Sequence, residues 1–350
     1  MSIEIKKLGQ ILTLKRGYDL SISTRTEGAV PVVSSSGITG FHNESKVRGP
    51  GVVTGRYGTI GEVYYVQEDY WPLNTALYVQ DFKGHDPRFI YYYLMHILKG
   101  TQSDKAAVPG VNRNDLHARE VRIPSEPSHT RIAAILSAYD DLIENNRRRI
   151  QLLEQAARLI YQEWFVRLRY PGHERVRVVD GVPEGWEKRK LGGILVLNYG
   201  KGLKESERIK GDVPVYGSSG VVGSHHQHLV EGPGIVVGRK GNVGSIFWSQ
   251  SAFFPIDTVY YVDSETSSLY LFHLLQSLPF QSSDGAVPGL NRNYAYSLPV
   301  RVPPKTLVDR FEGIASPIYQ QILNLQRQNE RLRQARDLLL PRLMSGEIAV

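Results

Sequence analysis

The chain has 350 residues, of which 41% are hydrophobic and 22% charged, a composition typical of a folded protein with about two domains. It contains no cysteine, which excludes disulfides and cysteine-based zinc or iron–sulfur sites. The formal net charge of +7 favours an acidic partner such as nucleic acid, or serves only solubility. Because the first residues lack an apolar segment and no apolar run could span a bilayer, we expect a cytoplasmic protein that contacts no membrane.

The chain contains an internal duplication. The segment that begins VPVVSSSG at Val30 returns as VPVYGSSG at Val213, and AVPGVNRN at Ala107 returns as AVPGLNRN at Ala286. Solenoids and propellers repeat every 20–50 residues or so, whereas a period near half of the chain indicates duplicated domains. Two similar domains can bind two similar things at a fixed distance.

In chain order, residues 1–128 are rich in glycine and in short β runs such as GVVTG, with one internal helix predicted at PRFIYYYLMHILKG. Residues 129–172 change to helical periodicity and form a first spacer helix. Residues 173–304 repeat the plan of the first domain, and residues 305–350 form a second spacer helix. Short strands turned by glycines predict two pseudo-symmetric α+β domains rather than doubly wound α/β sheets.

Apolar residues recur three or four positions apart along both helical segments. About 40 residues of helix would be ~60 Å long, and such a helix exposes its apolar stripe unless another helix covers it. Since each helix is the available partner of the other, we predict an antiparallel coiled coil.

Asn146 and Asn329 lie on these stripes. A buried Asn in a coiled-coil seam reduces stability but determines the register. The alternative is that the stripe rotates outward there and both amides are solvated. We favour solvated amides, because one sequence does not determine the phase of a supercoil.

Motifs of catalytic chemistry are missing from the sequence. GIVVGRKGN lacks the spacing and the hydroxyl of a Walker loop, and GSSG is not a nucleophile elbow. His225, His226 and His228 could suggest a metal, but the other copy retains only His42, so a polar loop that faces DNA or solvent is the better interpretation. We therefore predict a chain without a catalytic centre or a metal.

One glycine-rich segment recurs without an obvious role in the core: GPGVVTGRYGTIG (49–61) and GPGIVVGRKGNVG (232–244). Its glycines build a tight loop whose backbone can approach a ligand closely. Arg56 and Arg239 occupy matching places in that loop, where a guanidinium could bind a guanine edge or a phosphate. The structural alternative is a surface arginine in a salt bridge beside a bend.

The second recurring segment is VPGVNRN and VPGLNRN, which places planar hydrogen-bonding groups after a Pro-Gly turn. Asn pairs with adenine edges and Arg with guanine or phosphate, but an Asn here could equally cap a helix that begins near Asp115. Serines in SSSG and GSSG are weaker candidates. The candidate DNA-binding residues are Ser35, Ser36, Arg56, Tyr57, Thr59, Asn112, Arg113, Asn114, Ser218, Ser219, Arg239, Lys240, Asn242, Asn291, Arg292 and Asn293.

With these loops, the duplicated domains and the long helices, the chain resembles the specificity subunit of type I restriction–modification systems. The most specific parts are RDLLLPRLMSGEI (336–348), IYQEWFVRLRYPGHE (160–174) and GVPEGWEKRKLG (181–192). The resemblance covers the whole length and implies two recognition domains with a coiled-coil hairpin.

The resemblance also implies that each domain reads one half of a split double-stranded DNA sequence, and that the helices dock DNA methyltransferase subunits, of which we expect two. Restriction subunits would complete the complex. Catalysis would belong to these partners, so S-adenosylmethionine, ATP and Mg²⁺ are expected on them and no cofactor on this chain. Apolar residues at the helix ends are candidates for the partner interface, unless they pack on the recognition domains: Trp164, Phe165, Leu340 and Leu343.

Specificity subunits usually carry dissimilar recognition domains, whereas these two are close copies. We therefore predict similar, inverted half-sites, that is, a nearly palindromic target with an unread spacer. Differences between the copies, such as Tyr57 against Lys240, would account for any asymmetry. The alternatives are a stand-alone bipartite DNA-binding regulator and an enzyme with an unrecognised site.

Overall fold

The structure, a computed structural model, describes residues 2–57, 61–99, 112–281 and 289–350. It divides into two compact units, one comprising Met1–Asn146 with Gln328–Val350 and the other Arg147–Arg327. The predicted domain boundaries followed the ends of the long helices, whereas each observed unit contains part of both helices. Among the described residues, no helix is long and apolar enough to cross a membrane.

In the first unit, short strands alternate with tight turns before the first long helix begins. The elements in chain order are β1 (Ile3–Lys7), α1 (Leu8–Ile11), β2 (Thr13–Arg16), β3 (Val30–Ser34), β4 (Gly37–His42), β5 (Gly51–Gly55), β6 (Val63–Val66), β7 (Trp71–Pro72), β8 (Ala76–Asp81), α2 (Pro87–Leu98), α3 (Arg113–Ala118), β9 (Glu120–Pro124) and α4 (His129–Tyr161).

The second unit repeats this order after the end of α4. Its elements are β10 (Val178–Val179), β11 (Val182–Pro183), β12 (Glu187–Lys190), β13 (Asn198–Tyr199), β14 (Val213–Gly217), β15 (Gly220–His225), β16 (Gly234–Gly238), β17 (Ile246–Ser249), β18 (Phe254–Pro255), β19 (Val259–Val262), α5 (Leu269–Ser277), α6 (Arg292–Ser297), β20 (Pro299–Val302) and α7 (Lys305–Met344).

The two units have the same sheet topology. A four-stranded antiparallel sheet has the order β2-β8-β5-β6 in the first unit and β13-β19-β16-β17 in the second. A three-stranded sheet, β4-β3-β7 or β15-β14-β18, contains a hairpin and one parallel neighbour. Each hairpin turns at a glycine of positive φ, Gly37 (93°) or Gly220 (100°), a conformation that costs glycine little. The combination of helices with mainly antiparallel sheets confirms the α+β prediction.

Each unit has its own apolar core, in which the two long helices meet the sheet domain. In the first unit, Leu136 from the early part of α4 lies in one cluster with Leu340 and Leu343 from the end of α7. In the second, Tyr161 from the end of α4 packs on Phe311 from the start of α7, with ring centroids 6.0 Å apart. Early residues of one helix thus meet late residues of the other in both units, which confirms the antiparallel pairing.

Asn146 and Asn329 are buried between the helices of the first unit, with 0% and 3% of their surface exposed. The Asn146 Nδ2 group donates to Asn329 Oδ1 at 3.0 Å and to Gln328 Oε1 at 3.2 Å. The expectation that both amides are solvated was therefore wrong. The apolar stripe of each helix still faces the other helix at these asparagines. The hydrogen bond between the two amides meets part of their hydrogen-bonding capacity, which lowers the cost of burying them.

Candidate nucleic-acid interface

The start of the glycine-rich loop, where the arginine lies, makes the same backbone hydrogen bonds in both units. In the first, the N–H groups of Arg56 and Tyr57 both donate to the Thr75 carbonyl, at 3.0 and 3.3 Å. In the second, the N–H of Arg239 and that of the following lysine donate to the Thr258 carbonyl at 3.0 Å. Since the arginine follows directly on a buried strand, β5 or β16, its backbone position is determined by the sheet.

In the second unit, hydrogen bonds join the two ends of this loop and also join the loop to the β14–β15 turn. Gly238 N donates to Ser245 O at 2.7 Å, and a Cβ at Gly238 would collide with the Asn242 carbonyl. Gly241 has a φ of 77°, which favours glycine. Ser245 Oγ donates to the Ser218 carbonyl at 2.6 Å, so the loop and the β14–β15 turn form one surface.

The Asn-Arg-Asn segment joins the same surface. Leu290 N donates to Arg239 O at 2.8 Å, and Lys240 forms a β-bridge with Gly289. The two motifs that the sequence singled out therefore lie together in the second unit, although about fifty residues separate them along the chain.

The first asparagine of each segment is a helix cap, as one alternative predicted. Asn291 Oδ1 accepts from the N–H of Asn293 at 2.8 Å, and Asn112 Oδ1 accepts from the N–H of Asn114 at 2.9 Å. The cap leaves the neighbouring Arg292 half-buried, while Asn293 is exposed. The asparagine and the arginine thus have separate roles, one in holding the helix start and one on the surface.

Two guanidinium groups converge on one aromatic ring in the second unit. The Cζ atoms of Arg239 and Arg292 lie 5.1 and 4.9 Å from the centre of the Tyr199 ring. Within the described part of the chain neither arginine forms an ion pair, and Arg239 Nε is buried without a hydrogen-bond partner. Two neighbouring positive charges with no carboxylate partner among the described residues are well suited to phosphate or base acceptors.

The equivalent place in the first unit is built differently. Arg56 lies over the ring of its neighbour Tyr57, with Cζ 4.6 Å from the ring centre. Arg16 stands where the second unit has Tyr199, and it forms a 3.6 Å ion pair with Asp19. Thr59 lies outside the described residues. Arg113 is exposed at the start of α3.

The remaining candidates are surface residues with few contacts. Ser36 and Ser219 are exposed at the tips of the two hairpins, and Ser35 and Ser218 beside them are half-buried. The other exposed candidates are Tyr57, Asn112, Arg113, Asn114, Lys240, Asn242, Asn291 and Asn293. Arg56 and Arg239 themselves are half-buried.

Sequence reasoning missed a second pair of matched arginines. Arg25 Nη1 donates to the Thr39 carbonyl at 3.0 Å, and Arg208 Nη1 donates to the Val222 carbonyl at 2.7 Å. Each arginine therefore ties its loop to the neighbouring hairpin. The signal was present as the pattern Arg-x-x-Gly-x-Val-Pro-Val, which occurs in both copies. Tyr199 was missed for the opposite reason, because the first copy has no aromatic residue there.

The histidines belong to the fold of the hairpins. His225 is buried and its Nδ1 accepts from the Ile209 N–H at 3.1 Å, as His42 Nδ1 accepts from the Thr26 N–H at 3.1 Å. The expectation of a loop that faces DNA or solvent was thus wrong for His225, whose ring supports the preceding loop. Among the described residues no His, Asp and Glu side chains cluster as a metal site would require.

The four residues expected at a partner interface lie inside the two units. Trp164 and Phe165 belong to the core of the second unit, with 9% and 5% of their surface exposed, and Leu340 and Leu343 belong to the core of the first. They pack on the recognition domains, which was the alternative. Burial leaves them little surface for a partner, so any docking has to use their exposed neighbours.

The second unit also contains a cavity of about 1190 Å³ between the helices and the β14–β15 hairpin. Its lining includes His273, whose two ring nitrogens face the Tyr319 hydroxyl at 3.3 Å and Gln276 Oε1 at 3.2 Å. Burial lowers the pKa of His273 to about 4, so the ring is neutral near pH 7. An imidazole held in this way has a structural role.

The fold and the surface agree with a comparison to known proteins. Residues 2–155 and 183–307 match the family described as the type I restriction modification DNA specificity domain. The chain belongs to this family. The two matched segments correspond to the two units, and the resemblance inferred from the sequence is confirmed.

Curated relatives include the specificity subunit of type I restriction enzyme MjaIX from Methanocaldococcus jannaschii, which is 24% identical over 286 residues. That match covers 71% of this chain and 65% of the relative, so the chain spans just under two thirds of the relative's length. The HindI specificity subunit of Haemophilus influenzae is 23% identical over 334 residues, covering 71% of this chain and 73% of the relative.

The fold is shared with a solved structure, the S subunit of a type I restriction–modification system from M. genitalium. The TM-score is 0.60 at 19% identity, with 98% of this chain and 96% of that chain covered. At this level of identity the likeness shows a common fold.

Proposed function

We propose that this specificity subunit reads a bipartite DNA target, with one half-site bound by each unit and an unread spacer between them. The observation that supports this most directly is the convergence of Arg239 and Arg292 beside an exposed polar loop, where neither arginine forms an ion pair with any described residue. Guanidinium groups bind guanine O6 and N7 in the major groove as a planar fork, and they bind phosphates with similar strength. The matched loop of the first unit, with Arg56, would serve the other half-site.

The half-sites are similar and inverted, so that the target is nearly palindromic. Support comes from the common topology of the larger sheets in the two units and from the matching backbone hydrogen bonds at Arg56 and Arg239. The antiparallel helices, which pass through both units, would set the spacer length. Side chains that differ between the copies, including Tyr57 against Lys240, would make the half-sites related and not identical.

The partners are DNA methyltransferase subunits, two per complex, and restriction subunits, in the cytoplasm where the DNA lies. S-adenosylmethionine, ATP and Mg²⁺ would be bound by those subunits. The family membership of the chain supports this assignment. Exposed apolar residues on the helices, such as Leu152 and Leu159, offer a surface for docking.

The methylated motif tests this proposal. The chain is expressed with the methyltransferase subunit of its own system in a host without other DNA methylation, and modified bases are mapped by single-molecule sequencing. We expect a split motif whose halves are related by inversion. Two unrelated half-sites would contradict the near-palindrome, and an unsplit motif would contradict bipartite reading.

The purified chain alone provides the second arm of this test. Incubation with DNA, S-adenosylmethionine and Mg²⁺ should give neither methylation nor cleavage, since catalysis belongs to the partners. Methyl transfer by the chain alone would favour an enzyme. Specific DNA binding with no effect on methylation in the co-expressing host would favour a stand-alone regulator.

A further inference from the structure

The half-exposed ring of Tyr199 lies against the two arginines of the second unit and packs on a buried ring. Tyr199 lies on β13 and packs edge-on against Tyr260 of β19, with ring centroids 5.0 Å apart. Tyr260 is buried, and its hydroxyl donates to the Leu290 carbonyl at 3.1 Å. Because the Leu290 N–H also donates to the Arg239 carbonyl at 2.8 Å, the ring, the loop and the residue that precedes the cap of α6 are connected by hydrogen bonds.

The first unit has no aromatic ring at the position of Tyr199, and its loop arginine lies over a different ring. Arg16 and Leu77 stand at the positions of Tyr199 and Tyr260, paired in the same register of the same two strands. The first unit instead has Tyr57 next to its loop arginine, where the second unit has Lys240. At both pairs of matching positions, one copy therefore has a tyrosine where the other has a cationic residue, and the copy that has the tyrosine differs between the two pairs.

An aromatic ring can orient a guanidinium without neutralising it. The negative face of the ring attracts each cation and so offsets the repulsion between Arg239 and Arg292. Reading a base edge requires the planar fork of the guanidinium in one orientation, whereas attraction to phosphate requires mainly its charge. Loss of the ring should therefore change which bases are preferred more than how strongly DNA is bound.

We propose that Tyr199 is a positioning residue that sets the base specificity of the second unit by orienting Arg239 and Arg292 toward guanine edges. This inference rests on the proposed function, in which the two arginines contact DNA. The equivalent role in the first unit falls to Tyr57, which lies over Arg56 from a different position. The exchange makes the two half-sites differ at the bases that these arginines reach.

The test uses the full chain co-expressed with its methyltransferase subunit, and reads the base preference of each half of the methylated motif. Arg56→Ala and Arg239→Ala first identify which half each unit reads. Tyr199→Ala should then weaken discrimination roughly 5- to 30-fold in the half marked by Arg239→Ala, and leave the other half unchanged. The salt dependence of DNA binding should stay the same, since both guanidinium charges remain.

Conservative variants separate orientation from folding. Tyr199→Phe keeps the ring and should restore the wild-type preference, while Tyr199→Arg, the residue of the first copy, should relax it as alanine does. The matched control is Val196→Ala, an exposed apolar residue on the same segment, which should alter neither half. Thermal unfolding of each variant identifies any that fails to fold, and Tyr199→Arg then replaces the alanine variant.

Three results would overturn the proposal. In the first, Tyr199→Ala and Tyr199→Arg keep the wild-type base preference in the half-site that the second unit reads. In the second, Tyr199→Phe loses as much base preference as Tyr199→Ala, and in the third, Tyr199→Ala weakens binding equally on all DNA sequences. These outcomes leave the proposed function intact as long as Arg239→Ala relaxes one half. If Arg239→Ala relaxes neither half, base reading by the loop is wrong, and the role of Tyr199 falls with it.

Discussion

At the scale of single residues, the two copies preserve a backbone frame and vary the side chains around it. Both loops place an arginine after a buried strand through paired hydrogen bonds to a threonine carbonyl, Thr75 or Thr258. The groups beside that arginine differ, with Tyr57 in one unit and Tyr199 in the other. A fixed backbone with variable neighbours is suited to reading related sequences.

Arg56→Ala and Arg239→Ala should each relax the reading of one half-site only. Loss of a bidentate contact should weaken binding to DNA with the preferred base by about 1–3 kcal/mol. Binding to DNA with another base at that position should weaken less. The measurement is the binding free energy of the full chain to duplexes that carry single substitutions in each half.

The control for this pair is Arg175→Ala, which removes the same charge from an exposed position before β10. It should lower binding slightly and equally on all duplexes, because it removes only a long-range attraction to DNA. If Arg56→Ala and Arg239→Ala behave in the same way as this control, the two loop arginines hold phosphates and do not read bases.

At the scale of elements, the long helices of the first unit combine apolar packing with one buried and one half-buried polar pair. In the first unit Arg336 of α7 pairs with Asp140 of α4, whose Oδ2 also accepts from the Tyr92 hydroxyl at 2.6 Å. Together with the Asn146–Asn329 pair, this network links α7 to α4 at two levels. Polar pairs between helices favour one register over the alternatives that apolar packing alone would allow, most strongly where they are buried, as Asn146 and Asn329 are.

Asn146→Leu should destabilise the protein by about 1–3 kcal/mol, because it leaves the buried amide of Asn329 without its partner. The double variant with Asn329→Leu should recover part of this loss, since both polar groups are then removed. Denaturant unfolding followed by helical circular dichroism measures both effects.

Asn145→Leu is the matched control, because Asn145 precedes the buried amide directly and is exposed. It should change the free energy of unfolding by less than about 0.5 kcal/mol. A double variant no more stable than Asn146→Leu alone would show that the two asparagines are not energetically coupled.

At the scale of the whole molecule, each of the two duplicated units depends on the pairing of the long helices. Each unit takes part of its core from α4 and part from α7, so neither recognition domain is complete without both helices. A separate predicted domain such as 1–128 therefore lacks part of its own core. The unit that folds is built from distant parts of the chain.

Insertion of one heptad into α4 after Asn146 and into α7 after Arg327 should change the preferred spacer and leave the half-sites as they are. Seven residues lengthen a helix by about 10 Å, which corresponds to about three base pairs of DNA. The methylated motif of the double insertion variant measures the spacer directly.

An insertion of the same length at the exposed turn Asp180–Gly181 is the control, because this turn connects two short strands and lies in neither helix. It should change neither the spacer nor the half-sites. An unchanged spacer in the double helix insertion would show that the helices do not determine the distance between half-sites.

The sequence by itself determined the duplication, the positions of the long helices, the α+β class and the family, because repeats and periodicity are read along the chain. It also singled out the arginine loop and gave the helix cap as one of two roles for the first asparagine of the Asn-Arg-Asn segment, since both depend on local geometry. Only the tertiary structure decided that Asn146 faces Asn329, that Trp164 is buried, and that Tyr199 lies under two arginines. These contacts depend on the phase of paired helices and on the register of distant strands, which are determined by packing across the core and leave no periodic signal in one sequence.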